Sequence, residues 1–440
     1  RNKVYMKPLC VVSCPIDTFS GYGARSRDFV KSLIQSKGEE WDIKIMPQRW
    51  GDCPWNFLSQ EDPLRKLFIP QLNKQPEIWI QITVPNEFQR VGQFNIGVSA
   101  GIETNVYPAE FIEGSNRMDL NLVSSNHSKQ VALETTFDKR DNNTQQVIKT
   151  IKLEKPIEVL FEGLDLSKYY KNPLKSNILE DVSEDFCFLY TGHWLPGSFG
   201  EDRKDVATLI KTFLESFNGP TKKKPALILK TNMVNYSLLD REEIIKRINN
   251  IRKNISGKLP NIYLLHGELT DEEMNKLNND PKIKSFVSFT KGEGYGRPLA
   301  EAAITGKPII TTNWSGHRDF LNPNYSILIG GELGQVGKST ANKFLLRESK
   351  WFNINTDIAS RAMKDVFKHY KKYFEISRKS TQYLKDNFSF DKMTEKLNLL
   401  LPKVEPAPTM QQLKLPKLKK IGGNESKLPE LKLPKLKKIK

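Results

Sequence analysis

The sequence predicts an α/β protein of about two domains built from parallel strands and helices, and three observations carry that expectation. Residues Ser285–Leu321 order themselves as strand, glycine loop, helix and second strand. The stretch that begins at Leu9 repeats the first three of those elements. A chain of 440 residues has room for roughly two or three domains of ordinary size.

Taken in order, the first half opens with the apolar run Leu9–Cys14, followed by P-I-D-T-F-S-G-Y-G-A-R-S-R-D-F-V-K-S-L-I. Gly21 and Gly23 supply two glycines of a dinucleotide fingerprint, but Ser26 stands where the third belongs. This loop is therefore either a ligand-facing turn or a plain βα turn. Glu77–Val84 alternates as a strand, and Asn95–Ser99 and Leu120–Ser124 add further strands. Glu87 and Glu103 fall just after strand ends, where open α/β sheets keep their ligand sites. Each can orient or deprotonate a hydroxyl, or simply stand in water. His127 is expected to open a helix rather than to do acid–base work.

In the second half, Ala226–Asn232 reads as a strand with Lys230 and Asn232 at its C-terminal edge. Tyr236–Lys253 and Asp271–Asn279 read as helices, and His266 between them has no catalytic role. Phe286, Val287 and Phe289 make a β-prone run that Lys291–Gly296 breaks. Gly292, Gly294 and Gly296 let the backbone approach a ligand closely, and Pro298 sits where a helix should begin. A helix start offers unpaired N–H groups and a positive dipole end, which suits a diphosphate. Gly306 is a plausible C-cap and Lys307–Thr312 resumes as a strand. Glu293 in the loop and Glu301 one turn into the helix complete the pattern. A carboxylate can accept two hydrogen bonds from a vicinal diol, so one can hold a sugar ring and the other a ribose. Gly330–Thr340 imitates a phosphate loop, but five residues separate Gly331 from Gly337 and Glu332 stands among them, so a surface loop is expected. Asp357–Phe374 and Ile376–Leu401 read as two helices stopped by Pro402.

The run G-E-G-Y-G-R-P-L-A-E-A (Gly292–Ala302), with G-K-P-I-I-T-T (Gly306–Thr312) after it, resembles the donor-binding signature of retaining glycosyltransferases with the two-Rossmann GT-B fold, particularly family 4. Pro156–Tyr169 resembles the segment that crosses between the two domains of that family. Phe188–Trp194 with Arg203–Phe213 resembles the first strand and helix of its second domain. About residues 1–400 are covered. The resemblance implies two Rossmann-like, doubly wound domains facing a cleft: an acceptor domain over 1–165, a nucleotide-sugar donor domain over 166–375, and a helix over 376–402 that crosses back to the first.

The resemblance also implies roles. Glu293 contacts the transferred sugar, Glu301 the ribose, and Lys204 with Arg203 the diphosphate, whose growing charge fixed cations stabilise. Gly294, Tyr295, Gly296 and Arg297 shape the donor loop. Lys230 and Asn232 face the same cleft, with Gly21 and Gly23 across it. Gly192-His193-Trp194 replaces a stretch where the family often carries an arginine, which leaves Arg297 as a substitute or as a mere surface charge. Glu103 is a candidate for handling the acceptor hydroxyl. The implied reaction moves a hexose-type sugar from a nucleoside-diphosphate sugar to an unknown acceptor with retention, the acceptor attacking on the face from which the diphosphate leaves. No D-x-D triplet occurs, so metal-independent transfer is expected, with the nucleotide sugar as co-substrate and no other cofactor. Other readings on the same scaffold are a DNA- or protein-modifying glycosyltransferase, an epimerase or hydrolase, and a catalytically silent binding protein.

Composition narrows the setting. No run reaches the ~18 apolar residues of a membrane span, Arg1–Met6 lacks the long apolar core of a secretory signal, and Cys10, Cys14, Cys53 and Cys187 do not form a disulfide framework. A cytoplasmic protein is expected. The repeated L-K-L-P-K-L-K-K-I (Leu413–Ile421, Leu431–Ile439) belongs to a basic tail, 403–440, that supplies +8 of the net charge of +17. Proline in each repeat forbids one continuous helix, so disorder is expected. Its candidate partners are solvent alone, an anionic membrane surface with peripheral attachment, or an acidic protein. Nucleic acid fits less well, because no aromatic side chain interrupts the lysines to stack on bases.

Overall fold

The computed structural model describes residues 5–51, 53–172, 177–404 and 407–408. At the chain ends, β1 (Tyr5–Met6) pairs antiparallel with β18 (Ala407–Pro408), a unit apart from the body. The expected disorder of the Lys-rich repeats lies outside the described residues.

The body, Lys7–Glu405, contains two six-stranded parallel sheets. The first comprises β2 (Leu9–Cys14), β3 (Asp42–Pro47), β4 (Ile78–Ile82), β5 (Phe94–Val98), β6 (Leu120–Val123) and β9 (Ile157–Val159) in the order β3-β2-β4-β5-β6-β9. Its helices include α1 (Gly21–Lys37), α2 (Ala109–Ser115) and α3 (Asn126–Glu134), and a hairpin of β7 (Phe137–Arg140) and β8 (Val147–Ile151) lies before β9. The second sheet takes β10 (Cys187–Thr191), β11 (Ala226–Lys230), β12 (Ile262–Leu265), β13 (Ile283–Ser288), β14 (Ile309–Thr312) and β15 (Ile327–Ile329) in the order β12-β11-β10-β13-β14-β15. Strands such as β11, buried at every position, read as unbroken apolar runs because helices cover both faces. The strand order reverses at β10 and β13. A crevice opens at the C-terminal ends of two such neighbours, since their following connections leave in opposite directions.

Helices α4 (Val206–Ser216), α5 (Leu238–Lys253), α6 (Asp271–Asn279) and α7 (Arg297–Ala303) surround the second sheet, followed by α8 (Thr356–Lys368), α9 (Tyr370–Ser377), α10 (Ser380–Phe388) and α11 (Phe390–Leu400). On α4, Val206, Leu209, Ile210, Phe213 and Leu214 are buried with Phe188 of β10, the apolar stripe that helical spacing dictates. The linker after β9 threads between α1 and α11. Arg25 on α1, fully buried, donates to the carbonyls of Leu160 and Phe161, and a Cβ on Gly163 would come within 2.7 Å of Phe390 Cα.

Three expected elements differ. Asp357–Phe374 is not one helix but α8 and α9, divided at His369, whose ψ of 36° leaves the helical range. Ile376–Leu401 begins inside α9 and is divided after Ser377 and again at Ser389, the second time because Leu164 of the linker donates to Phe388 O and accepts from Phe390 N, pulling those groups out of the helical ladder. The Ser389 hydroxyl then caps α11 by accepting from Lys392 N. Gly330–Thr340 is not a loop throughout, since β16 (Gly331–Gln335) pairs antiparallel with β17 (Lys350–Ile354). Among the described residues, no helix is long and apolar enough to cross a membrane.

Candidate functional site

The connections after β10 and β13 meet at the reversal point of the second sheet. Asp205 adopts a left-handed conformation with φ of 50°, its N–H donating to Asp202 Oδ1 at 2.8 Å. That tight turn aims Arg203 and Lys204 at the glycine loop. The loop is clamped in return: Lys291 N donates to Arg203 O at 2.7 Å, and Lys291 Nζ pairs with Asp205 at 2.9 Å, both side chains buried.

Glu293 is the hub, 8% exposed. Its Oε1 receives Lys204 Nζ at 2.5 Å and the Thr290 hydroxyl at 2.7 Å, and its Oε2 receives Arg203 Nη1 at 3.2 Å. Burial pushes the carboxyl pKa up, but the charges of Lys204 and Arg203 and the hydrogen bonds outweigh it and hold the group near pKa 2. Burial pulls the Lys204 pKa down against that pairing, whereas Arg203 is held above its ordinary range by Glu103 and Glu293 in spite of burial. A crevice lined by Thr191, Lys204, Ser288, Glu293, Gly296 and Pro298 opens beside them. Among the described residues, the amides of Gly294, Tyr295 and Gly296 have no protein acceptor. The first turn of α7 offers less than expected, because Pro298 has no N–H and Leu299 N already donates to Gly296 O. The donors are in the loop, one step earlier.

The first domain closes against this loop. A Cβ on Gly292 would lie 1.9 Å from Glu103 O and one on Gly294 2.0 Å from Ala100 O. These two glycines are required by close approach across the cleft rather than by a turn. Glu103 extends the charge chain, its Oε1 3.8 Å from Arg203 Nη2. Hence Glu103, Arg203, Glu293 and Lys204 come together as one row of alternating charge.

Glu301 belongs to a second cluster. It lies against Arg297 (Nε to Oε1, 3.2 Å), whose guanidinium also meets Asp28 of α1 at 2.6 Å and Glu162 of the linker at 3.5 Å. Arg297 is thus neither a surface charge nor a free diphosphate ligand: three carboxylates from three segments already surround it. Burial raises the Glu301 pKa to about 7, Arg297 pulling it down and Asp271 adding to the rise. Lys230 Nζ donates to Gly267 O at 2.6 Å and lies over the Tyr236 ring. Asn232 is buried and its carbonyl accepts from Trp194 N at 2.9 Å. The Tyr295 side chain points into the core against Phe320, ring centroids 4.8 Å apart.

Gly21 and Gly23 open α1. Gly23 N donates to the Ser20 hydroxyl at 2.9 Å, and a Cβ at Gly23 would meet Thr18 O at 2.3 Å. Gly21 faces open space. Of the loop carboxylates, Glu87 accepts from Thr83 within a one-turn helix, Pro85–Glu87. His127 begins α3, as expected, and its ring lies on Trp314 with centroids 4.6 Å apart.

Several contributors escaped the sequence. Ser315 holds the hub in place by accepting from Glu293 N at 2.9 Å, at the expense of a left-handed φ of 76°. His317, fully buried beneath the loop, is bonded through Nε2 to Thr312 O at 2.7 Å and kept neutral by burial. Both lie in N-W-S-G-H after β14, a turn whose composition could have drawn attention. Asp28 and Glu162 gave no signal at all.

No protein-family profile matches the sequence, and no curated protein matches it. Solved structures do. A sucrose-phosphate synthase from Thermosynechococcus elongatus superposes with a TM-score of 0.58 at 10% identity, over 90% of this chain and 98% of that one. The chain has the GT-B fold. A glycosyltransferase from Rickettsia africae gives 0.57 at 14% identity, over 90% and 98%, and Anabaena HepE in complex with UDP-glucose gives 0.56 at 11%, over 89% and 99%. At such identities the likeness is one of architecture.

Proposed function

We propose that the chain is a retaining glycosyltransferase of the family 4 type that moves a hexose-type sugar from a nucleoside-diphosphate sugar to an acceptor without a metal ion. The observation that carries this reading is the Glu293 carboxylate held ionised between Lys204 and Arg203 at the ends of β10 and β13. A fully ionised carboxylate is an acceptor for sugar hydroxyls. The two cations beside it are placed to take over the charge that develops on a departing diphosphate, and the free amides of Gly294–Gly296 add to them. UDP-glucose in the superposing Anabaena HepE structure makes a uridine nucleotide the first donor to try.

In this mechanism the diphosphate displaces Glu293 from part of its hold on Lys204 and Arg203, which frees the carboxylate for the sugar. Glu301, on the adjacent face of α7, is assigned to the ribose, and Glu103 to the acceptor side of the row. The acceptor hydroxyl attacks the anomeric carbon from the leaving-group face and its proton passes to the departing diphosphate, so no protein nucleophile is needed.

The test is calorimetric titration of the whole chain with UDP, UDP-glucose, GDP-mannose and ADP-glucose, with EDTA present. One donor is expected to bind. Glu301→Ala should weaken nucleotide and nucleotide sugar alike, whereas Glu293→Ala should abolish the preference for the sugar-bearing form. If both variants bind as the parent does, the assignment fails.

A further inference from the structure

We infer that Phe19, Tyr22, Trp50 and Phe57 form a stacking platform for the pyranose rings of a saccharide acceptor, an inference that deepens the glycosyltransferase reading and rests on it. The platform lies at the C-terminal ends of β2 and β3, where α1 begins and the connection after Pro47 returns. Phe19 N donates to Pro54 O and Phe57 N to Asp17 O, each at 3.1 Å. Two ring pairs result. Tyr22 and Trp50 are stacked with centroids 4.1 Å apart and planes at 26°, and Phe19 meets Phe57 edge to face at 5.1 Å.

These rings are fixed. The Arg27 guanidinium lies 3.4 Å from the centre of the Phe57 ring and is itself anchored on the carbonyls of Ile16 and Thr18 at 2.8 Å. One face of Phe57 is therefore covered, and the residue as a whole is 42% exposed, with Phe19 at 48%. Rings already ordered lose little freedom when a ligand stacks on them. Gly21, between Phe19 and Tyr22 in sequence, has nothing within 4 Å of its Cβ position.

The platform is joined to the donor loop through one residue. Tyr22 Oη accepts from Ala100 N at 3.1 Å, and Ala100 O is the atom against which Gly294 packs. Tyr22 and the donor loop thus meet the same backbone segment from two sides. The chemistry favours a saccharide over an acyl chain. The same connection that carries Trp50 and Phe57 also carries the exposed polar residues Gln48, Arg49, Asn56 and Ser59. A pyranose presents C–H groups to a ring face and hydroxyls to such side chains.

The experiment is saturation-transfer-difference NMR on the intact chain with UDP present, using methyl α- and β-glucosides, galactosides and mannosides, maltose and cellobiose as probes. Ring stacking tolerates different sugars, so signal on ring C–H protons of at least one probe is expected. It should fall about fivefold or more in Trp50→Ala and Phe57→Ala and return in part in Trp50→Phe, while the UDP dissociation constant, titrated in parallel, moves less than about twofold. Absence of signal for every glycoside overturns the platform, as does undiminished signal in a folded Phe57→Ala chain. Binding of decyl phosphate micelles through these rings in place of glycosides overturns it too. Failure of UDP to bind sinks the donor reading instead, a separate readout.

Discussion

The two domains use the same local device, a parallel strand, a glycine-bearing turn and a helix, to opposite ends. At the start of α1 the turn is closed on itself: Ser20 caps Gly23, and Thr18 O occupies the room a Cβ would need. At the start of α7 the turn is open to charge: Glu293, Lys204 and Arg203 converge on it, and its amides stay without acceptors among the described residues. Glycine marks close approach of backbone in both. Only the second turn sets a carboxylate between two cations in a crevice, so only there does close approach bring together groups suited to bond chemistry.

Substitutions in the two turns should separate these meanings. The largest effect is expected from Lys204→Ala, which leaves Glu293 buried beside one cation and removes a donor from the leaving group. Transfer should fall by about a hundredfold or more, the loss typical of one oxyanion-stabilising donor, and progress curves with the nucleotide sugar that binds the parent would measure it. Next comes Gly23→Ala. The new methyl meets a backbone carbonyl, so a loss of roughly 1–3 kcal/mol in urea unfolding is expected, the range for overpacking. Its affinity for UDP should match the parent's. A Gly23→Ala chain that folds normally but no longer binds UDP would erase the contrast.

The two glutamates of α7 and its loop give a comparison of opposite sign under pH. Glu293, held near pKa 2 when folded, stabilises the protein above the ordinary carboxylate range and ceases to do so as pH falls from about 4.5 toward 2. Glu301, raised to about 7, behaves the other way: its contribution is intact below the ordinary range and is lost as pH rises through 7. Relative to the parent, Glu293→Gln should therefore lose less stability on acidification from pH 5 to 3. Glu301→Gln should gain as pH rises from about 4.5 to 7. Thermal melts across both ranges test the pair, and parallel curves for parent and variants would refute the electrostatics.

How much of this was legible follows from how local each feature is. The β13 strand, the glycine loop, Pro298 and α7 lie within about twenty residues, and propensity and turn chemistry act at that range. Lys204 and Arg203, 89 and 90 positions from Glu293, entered only through the family resemblance, since nothing local ties the two loops together. What escaped depends on partners distant in sequence. Ser389 breaks a helix only because Leu164 bonds to both sides of it, and Gly331–Gln335 becomes a strand only because Lys350–Ile354 returns beside it. Arg297 reads as a free cation until Asp28, 269 positions away, is laid against it. The bond from Lys230 to the Gly267 carbonyl likewise depends on a partner 37 positions away.

The smallest effect is expected at Glu103, where the first domain reaches across to the second. Its separation of 3.8 Å from Arg203 and side-chain exposure of 31% make it a loose, hydrated pair, worth about 0–1 kcal/mol. Glu103→Gln should therefore shift the KM for donor by less than about tenfold, as Arg203 relaxes toward Glu293. Were Glu103 the base for the acceptor hydroxyl, its removal would instead lower kcat by two to four orders of magnitude, on the order seen for general bases, and would erase the acid limb of the kcat profile. A front-face transfer that hands the proton to the leaving diphosphate predicts an unaltered limb. Measured kcat and KM for the parent and Glu103→Gln between pH 5 and 8 decide whether the first domain's carboxylate positions a cation or moves a proton.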